Sequence, residues 1–266
     1  MRVVLQAILA VACASAPAWF SGQTPTTFRV MTWNIAAGSG GLVPIAEAMR
    51  AAAPDIVALQ EVDVHWSERS GFADQAARLA EAVGLSARFG PIYRLPGGGP
   101  APSREFGLAI LSRHPVVEFR NHVIPRLSTQ STDTEPQPLP GFLEASIEVG
   151  PARVRLFNTH LDYRADARVR ALQVAAMLKL IGADGATLLA GDLNAPSTAP
   201  ELAPLFRRLA DVWPADGDAG LTYPAKAPVR RIDYILASAD LQVRAVRVLP
   251  VPASDHRPVV ADLAVR

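Results

Sequence analysis

Cysteine is nearly missing from this chain: Cys13 stands alone among 266 residues. That excludes a disulfide framework and any zinc site built from thiolates. Lysine is almost as scarce, with Lys179 and Lys226 the two exceptions among 26 cations. The arginine bias fits a GC-rich genome and carries no functional weight. Neither sign of charge dominates, since 25 acids leave a net of +1, so bulk charge lends no support to nucleic acid as a partner. Charged residues make up 19% and hydrophobic ones 50%, a balance that excludes intrinsic disorder for the body of the chain. Internal repeats are missing too, which rules out a solenoid or propeller.

Long hydrophobic runs are confined to the start. Arg2 is followed by an apolar stretch over residues 3–14, interrupted by Gln6, and then by Ala14, Ala16 and Ala18 at spacings a signal peptidase accepts. The stretch is shorter than the roughly 20 residues a bilayer-spanning helix needs. Residues 1–18 therefore read as a signal peptide and 27–266 as one catalytic domain, exported to the periplasm or beyond, with no membrane anchor after processing and a monomer expected. Lipidation at Cys13 is the alternative, against which Ala10-Val11-Ala12 make a poor recognition box. Arg2 is the one charged residue in the segment, so its removal leaves 25 cations against 25 anions.

Beyond the leader the chain is rich in short β-branched runs. Strands are predicted over 28–34, 55–60, 107–112, 116–122, 143–149, 154–160, 187–191, 231–237, 241–249 and 258–264. Helices are predicted over 43–52, 72–83, 165–181 and 200–209, with Phe72, Ala76, Leu79, Ala80 and Val83 on one face of the second and Ala167, Ala171, Val174, Leu178 and Ile181 on one face of the third. Residues 95–104 and 126–141, rich in proline, read as loops. Strands follow one another without intervening helices, which excludes a strictly alternating parallel barrel. An α/β arrangement of two packed sheets with helices outside satisfies the pattern.

Acids, amides and histidines gather where strands end: Trp33-Asn34, Leu59-Gln60-Glu61, Asn158-Thr159-His160-Leu161-Asp162, Gly191-Asp192-Leu193-Asn194, Ile232-Asp233-Tyr234 and Ser254-Asp255-His256. Residues two apart on a strand share a face, so Asp192 and Asn194 are expected to project together, as are Asn158, His160 and Asp162. Glu61, Asp192, Asp233 and Asp255 would bring four carboxylates together, a repulsion that a hard cation relieves. Oxygen donors favour Mg²⁺, with Mn²⁺ or Ca²⁺ as alternatives, over zinc. His160 and His256 can stabilise negative charge that builds in a transition state, and the amides of Asn34 and Asn194 can orient water. Carboxylates, amides and histidines around a hard cation, with no cysteine in these clusters, point to metal-assisted attack of water on a phosphoester.

These segments, together with Gly107-Leu108-Ala109-Ile110-Leu111-Ser112-Arg113, Arg231-Ile232-Asp233-Tyr234-Ile235 and Ser254-Asp255-His256-Arg257-Pro258, resemble in order the motif series of the endonuclease/exonuclease/phosphatase superfamily. The resemblance covers residues 28–265. It implies a four-layer sandwich of two mixed β-sheets flanked by helices, and hydrolysis of phosphoesters, phosphodiesters foremost, with a divalent cation. It implies Glu61 as a metal ligand with Asn34 near it, Asp255 beside or on the metal, and Asp192 on the attacking water with Asn194 next to it. His160 and His256 would contact the phosphate, with Asp233 orienting His256. Asp162, Arg69 and Arg113 are candidate substrate contacts. Ala36 occupies a position where many nucleases of the superfamily carry an acid, which argues against a DNA-repair role. Nucleic acid, phospholipid or sphingolipid, and sugar or inositol phosphates all remain open as substrates. The rival reading is a non-catalytic binding module on the same scaffold, and a test of hydrolysis with and without metal separates the two.

Overall fold

The computed structural model describes residues 26–266. The leader and Cys13 lie outside the described residues. The elements run β1 (Thr27–Asn34), α1 (Leu42–Ala52), β2 (Ile56–Val64), α2 (Gln75–Val83), β3 (Ser86–Leu95), β4 (Arg104–Ser112), β5 (Val116–Arg126), β6 (Gln137–Val149), β7 (Ala152–His160), α3 (Arg168–Ile181), β8 (Thr187–Asp192), α4 (Ala203–Arg208), β9 (Ala210–Asp211), β10 (Asp233–Ala237), β11 (Leu241–Val248) and β12 (Val259–Val265). Among the described residues no helix is long and apolar enough to cross a membrane.

Twelve strands form two six-stranded mixed sheets, ordered β11-β12-β1-β2-β4-β3 and β5-β6-β7-β8-β10-β9. Each sheet has one parallel pair, β1 with β2 and β7 with β8. A parallel pair needs a crossover, and α1 and α3 supply the two. The strands are apolar nearly throughout because both faces of each sheet are covered. On β1, Val30 points into the core between the sheets while Met31 and Trp33 pack under the α1 and α2 layer. On β7, Leu156 faces the other sheet and Phe157 faces α3. The result is the expected four-layer sandwich.

Several boundaries differ from expectation for identifiable reasons. Strand β3 lies outside the predicted set, because Gly90 and Pro91 interrupt its pattern. It is an edge strand with a bulge between Pro91 and Tyr93, where proline is tolerated. Residues 137–141 belong to β6 rather than to a loop. Pairing of β6 with β7 begins at Phe142, so Pro138 and Pro140 pair with β5 alone and no ladder bond is lost on the other side. Helix α2 starts at Gln75, where Asp74 caps it by accepting from the Ala77 N–H. Phe72 is outside it and half exposed. The segment 200–209 splits into a 3₁₀ turn and the short α4. On α3 the buried stripe is Val169, Arg170, Gln173, Val174, Met177 and Ile181, which keeps Val174 and Ile181 of the expected face but leaves Ala167, Ala171 and Leu178 outside it. Two polar residues sit in that stripe because they hold the loop after β7. Arg170 donates to the carbonyls of Asp162 and Arg164, and Gln173 Oε1 accepts the Asp162 N–H.

Candidate active site

The C-terminal ends of both parallel pairs meet at one end of the sandwich, which brings Asn34, Glu61, His160 and Asp192 together. Antiparallel β10 begins at this end with Asp233, and the turn before β12 adds Ser254, Asp255 and His256. At the centre lies Asp192, fully buried. Its Oδ2 accepts from Asn34 Nδ2 at 3.1 Å and its Oδ1 from the Asn194 N–H at 2.8 Å. His160 Nε2 and His256 Nε2 approach the same Oδ2 at 3.5 and 3.7 Å. Behind His256, Asp233 meets Nδ1 at 3.0 Å. The Tyr223 ring leans on the imidazole, centroids 4.7 Å apart, a contact the sequence did not suggest.

These positions set the ionisation. Burial, reinforced by Asp233, pushes the Asp192 carboxyl up, against the pull of the two histidines and the Asn194 N–H. Burial alone would lower His256, but Asp233, Asp192 and Asp255 together push it up to about 9. Carboxylates in front of and behind the ring thus favour the imidazolium at neutral pH, with Nε2–H directed toward the site.

Glu61 reaches the site through a bulge. Leu59 pairs with Ala109 and Val62 with Gly107, so Gln60 and Glu61 together oppose Leu108. Glu61 takes φ of 54°, a left-handed conformation that is strained for a glutamate. Asn158 stabilises the bulge from the opposite sheet. Its Nδ2 donates to the carbonyls of Leu59 and Ala109, and its Oδ1 accepts from Gln60 Nε2, all at 2.8–2.9 Å. Asn158 is therefore a cross-sheet strut and does not share the site with His160. Glu61 Oε1 accepts from Asn34 Nδ2 at 3.0 Å, so one amide bridges Glu61 and Asp192. No cationic side chain among the described residues lies within 4.0 Å of Glu61. Two carboxylates held together by one amide, one of them without a counter-charge, make an oxygen donor set that fits a hard cation. Asp192, Asp233 and His256 also offer ligand atoms within 4.8 Å of one another. In that trio the charged ring already compensates the carboxylates, so the Glu61 edge is the better match.

The remaining candidates divide. Asn194 sits past the end of β8 with φ of 53°, and its Nδ2 donates to the Leu161 carbonyl. It stays beside Asp192 through a turn rather than by sharing a strand face. Asp255 is exposed next to His256, with Oδ1 3.3 Å from Ser254 Oγ. Asp162 borders the site, but Arg164 occupies its carboxylate through both the backbone N–H at 2.9 Å and Nη1 at 2.5 Å. Arg69 is spent on buried Asp63, which takes its Nε and Nη2 at 2.9 and 2.7 Å. Both arrangements brace loops. Arg113 is at the wrong end. Strand β4 runs antiparallel to β2, so the arginine following β4 returns to Asp55 at the start of β2 and pairs with it at 3.1 Å. Glu61 lies six residues further on, roughly 20 Å away.

A cavity of about 180 Å³ opens beside Glu61 and His160. Its wall includes Arg126, a buried guanidinium that sequence reasoning missed because it sits in a stretch read as loop.

Residues 31–256 match the model of the Endonuclease/Exonuclease/phosphatase family. No curated protein matches the chain in sequence. Among solved structures, an endonuclease/exonuclease/phosphatase from Beutenbergia cavernae is 29% identical, covering 90% of this chain and 72% of its own, with a TM-score of 0.70. The catalytic domain of human Nocturnin with bound sulfate is 23% identical, covering 91% and 94%, with a TM-score of 0.68. A mannosyl-6-phosphatase from Bacteroides thetaiotaomicron is 18% identical, covering 89% and 99%, with a TM-score of 0.65. The latter two likenesses show the fold alone.

Proposed function

The chain belongs to the endonuclease/exonuclease/phosphatase family, and from that premise we propose that it hydrolyses phosphoester bonds by direct attack of water, with Mg²⁺ or a similar divalent cation as cofactor. The observation that carries the proposal is the convergence of Asn34, Glu61, His160, Asp192, Asp233 and His256 at one end of the sandwich. Glu61 would hold the cation, with the Asn34 amide fixing its carboxylate and Asp255 at the rim. When bound, the ion neutralises charge on the phosphoryl oxygens and polarises the phosphorus for attack.

The chain's own groups account for the rest. Asp192, raised by burial and fixed by Asn34 and the Asn194 N–H, accepts the proton of the attacking water. The new bond forms between water oxygen and phosphorus, the ester P–O bond breaks, and the departing alkoxide takes up a proton from solvent water. His256, held charged by Asp233, donates Nε2–H to a phosphoryl oxygen as negative charge builds. His160 supplies a second donor from across Asp192. A water nucleophile fits a site whose centre is a carboxylate, with no covalent intermediate.

The test uses the full chain and bis-p-nitrophenyl phosphate. Exhaustive treatment with EDTA should abolish turnover, and Mg²⁺ or Mn²⁺ should restore it. Full activity after chelation would reject the metal-dependent mechanism, and inactivity under all metal conditions, on this ester and on a panel of DNA, RNA, sphingomyelin and sugar phosphates, would favour the binding-module reading.

A further inference from the structure

The cavity beside Glu61 and His160 combines aromatic and aliphatic walls with charged groups of both signs, the carboxylates of Glu61 and Asp162 among them. Tyr93, Phe106 and Tyr163 supply aromatic surface, and Arg126 and Arg164 supply charge. The two arginines are not equivalent. Arg164 is paired with Asp162 and lies over the Tyr163 ring, 5.1 Å from its centroid. Arg126 is buried, and among the described residues no carboxylate lies within 4.0 Å of it. Its Nη1 donates to the His160 carbonyl at 2.9 Å and its Nη2 to the Gly141 carbonyl at 2.6 Å, while Nε has no acceptor. A guanidinium carries five N–H donors, so most of its capacity is unused. A buried cation without a counter-charge is costly, and burial pulls this one down to about 10. At Gly141 a Cβ would stand 2.4 Å from Ile92 and 3.0 Å from Arg126 Nε, so no side chain fits against the guanidinium there.

The cavity is also pre-formed. Tyr93 Oη accepts the Thr129 N–H at 3.0 Å, Arg164 Nη1 donates to the Leu127 carbonyl, and Arg170 and Gln173 hold residues 162–164. A cavity of about 150 Å³ accepts one benzene-sized ring, and this one, at about 180 Å³, is slightly larger.

We infer that the cavity receives the alcohol half of the substrate as a single small ring bearing a second anionic group, phosphate or carboxylate, which meets Arg126. The inference rests on the hydrolase reading above and narrows it. Aromatic walls suit the faces of a ring, and Arg126 supplies the charge that a neutral alcohol would leave unmatched. One ring fills the cavity, and the rest of a larger substrate would lie along its open side. Arg126 is thereby assigned to substrate selection.

The experiment compares three esters on the full chain with Mg²⁺: glucose 1-phosphate, glucose 1,6-bisphosphate and glucuronic acid 1-phosphate, with a single-stranded oligonucleotide as the polymer. The expected result is a kcat/KM at least about tenfold higher for one of the doubly anionic esters than for glucose 1-phosphate, expressed mainly in KM. The arm that responds identifies phosphate or carboxylate. Arg126→Gln should collapse that ratio toward one, and Arg126→Lys should retain part of it. Equal kcat/KM for all three sugar esters, or preference for the oligonucleotide, overturns the inference, while EDTA-sensitive turnover in the same assays keeps the hydrolase reading intact. If no ester is turned over, titration calorimetry in metal-free buffer decides. Binding of a doubly anionic ester to wild type that Arg126→Gln abolishes supports the cavity assignment, and no such binding to wild type rejects it.

Discussion

Asn158 tests whether the bulge that presents Glu61 is held from the other sheet. The side chain is fully buried and makes three hydrogen bonds, two of them to the carbonyls of Leu59 and Ala109 that flank the bulge. Asn158→Ala removes a donor from each of two carbonyls that also face each other in the β2–β4 ladder, at about 0.5–1.5 kcal/mol each. Gln60 keeps Thr32 Oγ1 and the Ala58 carbonyl as acceptors, so its loss is smaller. The expected destabilisation is about 2–4 kcal/mol, a sizeable share of the roughly 5–15 kcal/mol that holds a domain together. With a urea m-value of about 3 kcal/mol/M, the midpoint should fall by about 1 M. Asn158→Asp separates hydrogen bonding from volume. The carboxylate fills the same space but cannot donate, so it should be at least as damaging at pH 8. It should recover as the pH falls, because burial raises its folded pKa above the unfolded value and a neutral acid can donate once. In both variants the Mg²⁺ concentration for half-maximal activity should rise as Glu61 loses its support. A wild-type midpoint for Asn158→Ala, or an Asp variant milder than the Ala variant at pH 8, would refute the strut.

Two further outcomes are set by the charges at the centre. Burial raises the Asp192 carboxyl, so its ionised form costs stability above the unfolded pKa. Asp192→Asn should therefore unfold within about 1 kcal/mol of wild type, or later, while turnover falls by at least about 10³-fold; a variant that folds and keeps its activity contradicts the assignment of Asp192 as base. In metal-free protein the His256 ring should titrate near 9 by NMR. Asp233→Asn should bring it down toward 6.5 or lower, since burial opposes the charged form. A value unmoved by that substitution would show that Asp233 does not hold the proton.

The sequence by itself determined the architecture class, the order of the motifs and most of the residues that converge at the candidate site. Apolar β-branched runs specify strands wherever both faces are buried, and polar residues at the ends of such runs must lie at the rim, because the interior has no place for them unpaired. That reasoning identified Asn34, Glu61, His160, Asp192, Asp233 and His256 without contacts. It failed where a role depends on register or on a partner far along the chain. Arg113 and Arg69 are arginines beside motifs, and only strand direction and the position of Asp63 show that they face elsewhere or are already engaged. Asn158 occupies a site motif but points between the sheets. Arg126, Arg170 and Gln173 carry no periodic signal because buried polar side chains break the apolar spacing that reveals a buried face. The left-handed backbone at Glu61 is marked by no glycine. Tertiary structure alone decided these points, since strand register, the bulge opposite Leu108 and the close packing of Gly141 against Ile92 and Arg126 arise when two sheets built from distant segments close on each other.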